Sequence, residues 1–89
     1  MEAIDRNIED LKIGDRAKTT WTVTKQDIAS FANLSGDFNP LHTDTDYAIS
    51  EGYRDCVAHG LLLGSKLSSL VGMKLPGRRC LLIDQTLAY

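Results

Sequence analysis

From residue 16 the chain alternates. Ala17, Thr19, Trp21 and Val23 are interleaved with Arg16, Lys18, Thr20 and Thr22, the period of two that marks a half-buried strand. Ahead of it, Ile8, Leu11 and Ile13 lead into Gly14-Asp15, a short segment closed by a turn. After Val23 the period changes. Thr24 is placed to cap a helix, with Asp27 three residues on as the acid of a capping box. Ile28, Phe31 and Ala32 supply the apolar face, and Gly36 ends the helix. Residues 37–43 cannot continue it, because Pro40 lacks an N–H and drives Asn39 toward extended backbone. A second, short helix starts near Asp44, carries Tyr47 and Ile49, and stops at Gly52; residues 52–57 connect it to the next element.

The longest helix is predicted from about Ala58 to Met73. Leu63, Leu67 and Leu70 form one stripe, Leu61, Leu62 and Val71 lie on other faces, and Lys66 is the one charge before Lys74. A helix apolar nearly all round is normally buried. Gly60, Gly64 and Ser68 make a small-residue stripe on it, open to close packing against a sheet or to the approach of a ligand. Leu75-Pro76-Gly77 is a turn, and residues 80–89 form a second strand with Leu81, Ile83, Leu87 and Tyr89 on one side. Two strands cannot wrap such a helix, and an isolated two-stranded sheet is marginal. The final apolar strand also leaves an edge that invites association. The pattern therefore predicts one α+β domain over residues 1–89, incomplete at its C-terminal side and truncated after its second strand, or completed by a partner's strands.

Composition narrows the class without naming it. The 89 residues are 43% hydrophobic and 25% charged, with net charge −2, which is ordinary for a soluble globular domain. That balance lacks the basic footprint of a nucleic-acid binder. No apolar run reaches the roughly 20 residues of a membrane span, and the N-terminus lacks the pattern of a signal peptide. A cytoplasmic location is the default expectation. Cys56 and Cys80 are expected to be reduced. Cys56 and His59 are suitably spaced for zinc, but no second local pair completes the usual four ligands, so no metal is expected.

Two features could carry chemistry. Asp37 and His42 are five residues apart on a segment stiffened by Pro40, and a carboxylate and an imidazole held on one loop can share a water. Imidazole suits proton transfer near neutral pH. The competing reading is a plain turn, since Asp and Asn beside proline commonly bond their own backbone. The second feature is His59-Gly60 at the mouth of the long helix. The first N–H groups of a helix have no intrahelical partner and favour negative charge; glycine lets an acyl oxygen come close, as in an oxyanion hole. An ordinary helix start explains the same residues, and His59 reads as a hydrogen-bonded structural histidine.

Taken together, the run Phe31-Ala32-Asn33-Leu34-Ser35-Gly36-Asp37-Phe38-Asn39-Pro40-Leu41-His42 resembles the signature of the MaoC-like (R)-specific enoyl-CoA hydratases. Val57-Ala58-His59-Gly60-Leu61-Leu62 resembles the start of that family's central helix, and Leu75-Pro76-Gly77 with Asp84-Gln85-Thr86-Leu87 its following turn and strand. The resemblance covers residues 8–89 in register. It implies a hot-dog fold, an antiparallel sheet wrapped around a long central helix, in a homodimer binding acyl-CoA or an acyl carrier protein thioester, with no nucleic-acid or membrane partner. It further implies that Asp37 and His42 hold and activate a water, that Asn39 fixes the loop, and that the Gly60 N–H polarises the thioester carbonyl. Ser68 would line the site. The expected reaction is hydration of a trans-2-enoyl thioester to the (3R)-3-hydroxyacyl product, or the reverse, without metal or organic cofactor. A complete hot-dog of this family continues for roughly 40–60 more residues, and Asp84 puts a charge where a small or apolar residue is expected.

Two other functions compete. Thioester hydrolysis on the same fold usually places an acid or base on the central helix, and no carboxylate lies between Ala58 and Met73. A non-catalytic hot-dog fragment that binds acyl thioesters, or that only self-associates through open strands, is the alternative outside enzymology.

Overall fold

Helix α1 (Lys25–Ser35) begins as its first residues require. Thr24 is extended; its hydroxyl accepts the Asp27 N–H at 3.1 Å, and the Asp27 carboxylate accepts the Thr24 N–H at 2.9 Å. Two donors that the helix leaves unpaired are thereby satisfied. Gly36 closes it in the left-handed region at φ 79°, its N–H on the Ala32 carbonyl, a conformation that glycine adopts without a Cβ penalty. The computed structural model describes residues 1–89. These divide into two compact units, residues 21–63 and a second made of residues 1–20 with 64–89.

In the unit of residues 21–63, the segment expected to be non-helical contains a short helix, α2 (Pro40–Thr43). Pro40 breaks α1 but starts α2. It occupies the first helical position, where a missing N–H removes nothing, and Asn39 caps the turn by accepting the Leu41 N–H at 3.0 Å. Helix α3 (Thr45–Ser50) follows, with Asp44 accepting the Tyr47 N–H at 3.2 Å. Ile28, Ala32 and Ala48 are buried, whereas Tyr47 and Ile49 are exposed. With Leu62 and His59, the first three are the buried residues of the unit, so its core is small.

In the other unit a 3-10 turn at Ile8–Asp10 precedes a tight turn at Gly14, φ 95°. Main-chain bonds tie the ends of the unit together. The Ile4 N–H donates to the Met73 carbonyl at 2.9 Å, and the Ile4 carbonyl accepts the Arg78 N–H at 2.8 Å. Arg79 adds bonds of 2.7 Å to the Asp5 carboxylate and the Asn7 amide oxygen.

Helix α4 (Gly60–Met73) starts two residues later than expected. It is less enclosed than its sequence suggests: Leu62 is buried, but Leu61, Leu63 and Leu67 are 65%, 44% and 42% exposed. Leu87 and Tyr89 reach it at Gly64, where a Cβ would lie 2.8 Å from the Leu87 side chain. The small-residue stripe thus serves close packing at that position. No helix is long and apolar enough to cross a membrane.

The antiparallel sheet is not formed. Residues 16–23 and 80–89 are without helix or ladder, and Leu81, Ile83 and Tyr89 are 84%, 89% and 74% exposed. The physical reason is that a strand becomes one only by exchanging backbone hydrogen bonds with a neighbour, and these segments exchange none with each other.

Candidate active site

The Asp37 loop is shaped by its own short side chains. Ser35 donates to the Phe31 carbonyl at 2.7 Å and accepts the Asp37 N–H at 3.1 Å; Asp37 Oδ1 accepts the Asn39 N–H at 3.1 Å. The turn that competed with the catalytic reading is therefore present, but it occupies one carboxylate oxygen. The other, Oδ2, lies 3.8 Å from His42 Nε2.

His42 comes from α2, its side chain 15% exposed against 52% for Asp37. Its Nδ1 bonds the Val57 carbonyl at 2.5 Å. A carbonyl only accepts, so Nδ1 carries the proton and Nε2 presents a lone pair in the neutral ring. At 3.8 Å the two facing atoms are too far apart for a direct hydrogen bond and close enough for one water lying beside them to bond both.

His59 joins this cluster. Its ring stacks on His42 with centroids 3.8 Å apart and 24° between planes, meets Phe31 edge-on at 4.9 Å, and its Nε2 donates to the Asp37 carbonyl at 3.0 Å. It is 3% exposed, and its Nδ1 is buried without a partner. Sequence reasoning assigned His59 a structural hydrogen bond and missed the stack. The available signal was that both histidines of the chain fall in the two motif segments.

The remaining sequence-assigned residues fall as follows. Asn39 holds the start of α2. Gly60 opens α4 directly after His59, and the first intrahelical bond, Leu62 N–H to the His59 carbonyl, leaves the Gly60 N–H ahead of it. Ser68 is exposed and belongs to the other unit. A cleft of about 200 Å³ adjoins His42, walled by Ile28, Ala29, Thr43, Thr45 and Cys56 with Lys25 at its edge. Lys25 pairs with Asp55 at 3.3 Å. The Cys56 N–H and then Lys25 hold the Asp55 carboxyl below its usual range. Cys56 and Cys80 are free thiols.

Asp37, His42 and His59 offer ligand atoms within 4.8 Å of one another. The arrangement nevertheless fits a metal poorly. Imidazole binds metals in its ring plane, and stacked rings aim their lone pairs nearly parallel instead of at one point. One nitrogen of each ring is also committed to a carbonyl. What the cluster can do is hold a water between a base and an acceptor.

The chain matches the family model described as the MaoC like domain over residues 10–84. It belongs to that family. It is 36% identical over 81 residues to an (R)-specific enoyl-CoA hydratase of Aeromonas caviae, covering 91% of this chain and 60% of that protein. A relative of the same description from Rhodospirillum rubrum is 37% identical, with 91% and 56% covered. Among solved structures, an (R)-hydratase from A. caviae involved in PHA biosynthesis superposes with a TM-score of 0.76 at 38% identity, over 80% of this chain and 54% of that one. The chain thus spans a little over half the length of these relatives.

Proposed function

We propose that the protein hydrates trans-2-enoyl thioesters to (3R)-3-hydroxyacyl thioesters, and catalyses the reverse dehydration. The observation that carries this reading is the 3.8 Å gap between His42 Nε2 and Asp37 Oδ2, with Nδ1 and Oδ1 already occupied by backbone. Each group has one free atom, and the two free atoms face each other. The family relationship supports the same chemistry, since the relatives named above are described as hydratases.

In this mechanism Asp37 Oδ2 accepts one hydrogen bond from the water, and His42 Nε2 takes its other proton as the oxygen adds to the β-carbon. The electron pair of the alkene moves toward the thioester carbonyl, where the Gly60 N–H stabilises the developing oxyanion. The imidazolium then returns the proton to the α-carbon, so one water is consumed and no cofactor is required. Asn39 keeps the loop and α2 in register. The substrate carrier is coenzyme A or an acyl carrier protein, with Ser68 lining the acyl side in the assembled enzyme. The working form in this reading is a hot-dog homodimer, in which residues 16–23 and 80–89 become strands on pairing.

The test is direct. Crotonyl-CoA is mixed with the protein, loss of enoyl absorbance is followed, and the product's configuration is assigned on a chiral phase. Turnover to the (3R) alcohol is expected; no turnover with short or medium acyl chains sinks the reading.

A further inference from the structure

We propose that His59 is a positioning residue of the water-activating pair, so that residues 57–59 act as a clamp on residues 37–42. The inference deepens the hydratase reading and rests on it. Four interactions join the two segments. The Val57 N–H donates to the Leu41 carbonyl at 3.0 Å, and the Val57 carbonyl accepts His42 Nδ1–H at 2.5 Å. His59 Nε2–H holds the Asp37 carbonyl at 3.0 Å, and the His59 ring lies on the His42 ring at 3.8 Å.

The division of labour follows from what each contact leaves free. A single Nδ1–H bond fixes one point of the His42 ring but leaves it able to tilt about the line to Val57. A flat, buried ring against its face removes that freedom, and with it the freedom of Nε2 to swing away from Asp37. The bond to the Asp37 main chain fixes the other side of the water. One side chain thus holds both halves of the pair. Its cost is visible: a buried imidazole nitrogen without a partner, left without the hydrogen bond that such a group ordinarily requires. Phe31 edge-on to the same ring keeps it in place. A histidine needed only for packing is replaceable by an apolar ring; this one also supplies the Nε2–H.

Two variants separate the contributions. His59→Gln places an amide N–H near the Nε2 position and loses the stack; His59→Phe keeps a stacking ring and loses the donor. Each is expected to lower kcat for crotonyl-CoA hydration on the order of tenfold to a hundredfold, the penalty of displaced reacting groups. KM should stay within about twofold, because acyl binding is untouched. Circular dichroism and thermal melts establish that the variants are folded. Nitrogen-resolved NMR of the imidazoles gives a readout independent of turnover. In the wild type His42 shows a single Nδ1–H tautomer, and in His59→Gln the tautomers mix as the ring loosens. If the wild type has no hydratase activity, the proposed function fails while the NMR still decides the clamp. An unchanged His42 signature in both variants overturns the clamp, as does kcat within twofold of wild type in both folded variants.

Discussion

Residues 21–63 and the unit of residues 1–20 with 64–89 solve the backbone hydrogen-bond problem differently. In the first, α1, α2 and α3 each start on a side-chain cap within three residues, from Thr24, Asn39 and Asp44. Every element is closed by its immediate neighbours in sequence. In the second, the ties run between distant residues, Ile4 to Met73 and Arg78, Asp5 to Arg79, and the extended segments lack ladder partners. Local closure fixes where each helix starts, and the bonds of His42 to Val57 and of His59 to Asp37 then aim the side chains. Distant closure leaves apolar surface at Leu81, Ile83 and Tyr89. The candidate chemistry sits on the locally closed unit, as positioning would require.

The largest effect should follow from removing the charge that faces His42. Asp37→Asn keeps an oxygen for the Asn39 N–H and so keeps the turn, but loses the anionic acceptor for the water. Crotonyl-CoA hydration should fall on the order of a hundredfold or more, with the thermal midpoint little changed. A variant retaining wild-type kcat would remove Asp37 from the mechanism and leave the loop as merely structural.

What was legible beforehand divides along the same line. Thr24, Asp27 and Gly36 declare α1 because a capping box and a left-handed glycine are local events. Asp44 declares α3 for the same reason. The exception is α2, because Pro40 in the sequence marks the end of one helix and in the fold also begins the next. Residues 16–23 and 80–89 carry apolar patterns that suggest strands, yet neither forms one, because alternation records only which face a strand would bury. It does not supply the partner. In the site, the Asp37/His42 pair was visible in one continuous run. The stack of His59 on His42 joins residues 17 apart in sequence, and no local pattern encodes it.

Glycine geometry probes the distantly closed unit. Gly77 lies at φ 99°, and an added Cβ would collide with the Ile4 carbonyl oxygen, the atom that accepts the Arg78 N–H. Gly77→Ala should destabilise toward the upper end of about 1–3 kcal/mol and loosen the Ile4 ties. Gly14, at φ 95° with nothing near its Cβ position, separates strain from collision: Gly14→Ala should cost only about 1 kcal/mol. Urea melts yielding equal losses for both would show that the Ile4 contact contributes nothing.

Core substitutions compare the units directly. Ala48 is fully buried, so Ala48→Leu overpacks the frame and should cost about 1–3 kcal/mol. Ile83 is 89% exposed in the single chain, so at concentrations where the chain is unpaired Ile83→Ala should change stability by less than about 0.5 kcal/mol. A loss above about 1 kcal/mol at Ile83 would mean that this segment is covered in solution, and the contrast between the units would collapse. Repeating the melt over a range of protein concentrations would then distinguish self-association from intramolecular packing.

The smallest effect separates two carboxylates. Asp5 is held below its ordinary 3.8 by its hydrogen bond to Arg79 and by that residue's charge. Asp55 is held below the same value first by the Cys56 N–H and then by Lys25. A depressed folded value means that each contributes stability above about pH 3.8, lost as pH falls through the lower, folded value. Both contributions are small because the groups are solvent-accessible. Their salt dependence should differ. Arg79 carries its charge on an exposed side chain, so about 1 M salt should screen it and move the Asp5 midpoint upward. The Cys56 N–H is fixed by the chain and short-ranged, so the Asp55 midpoint should move less. Carboxyl carbon shifts followed by NMR from pH 6 to 2, at low and high salt, measure both. Equal displacements would show that Asp55 is held by Lys25 instead of by the backbone, and that local closure in this unit does not extend to its ion pairs.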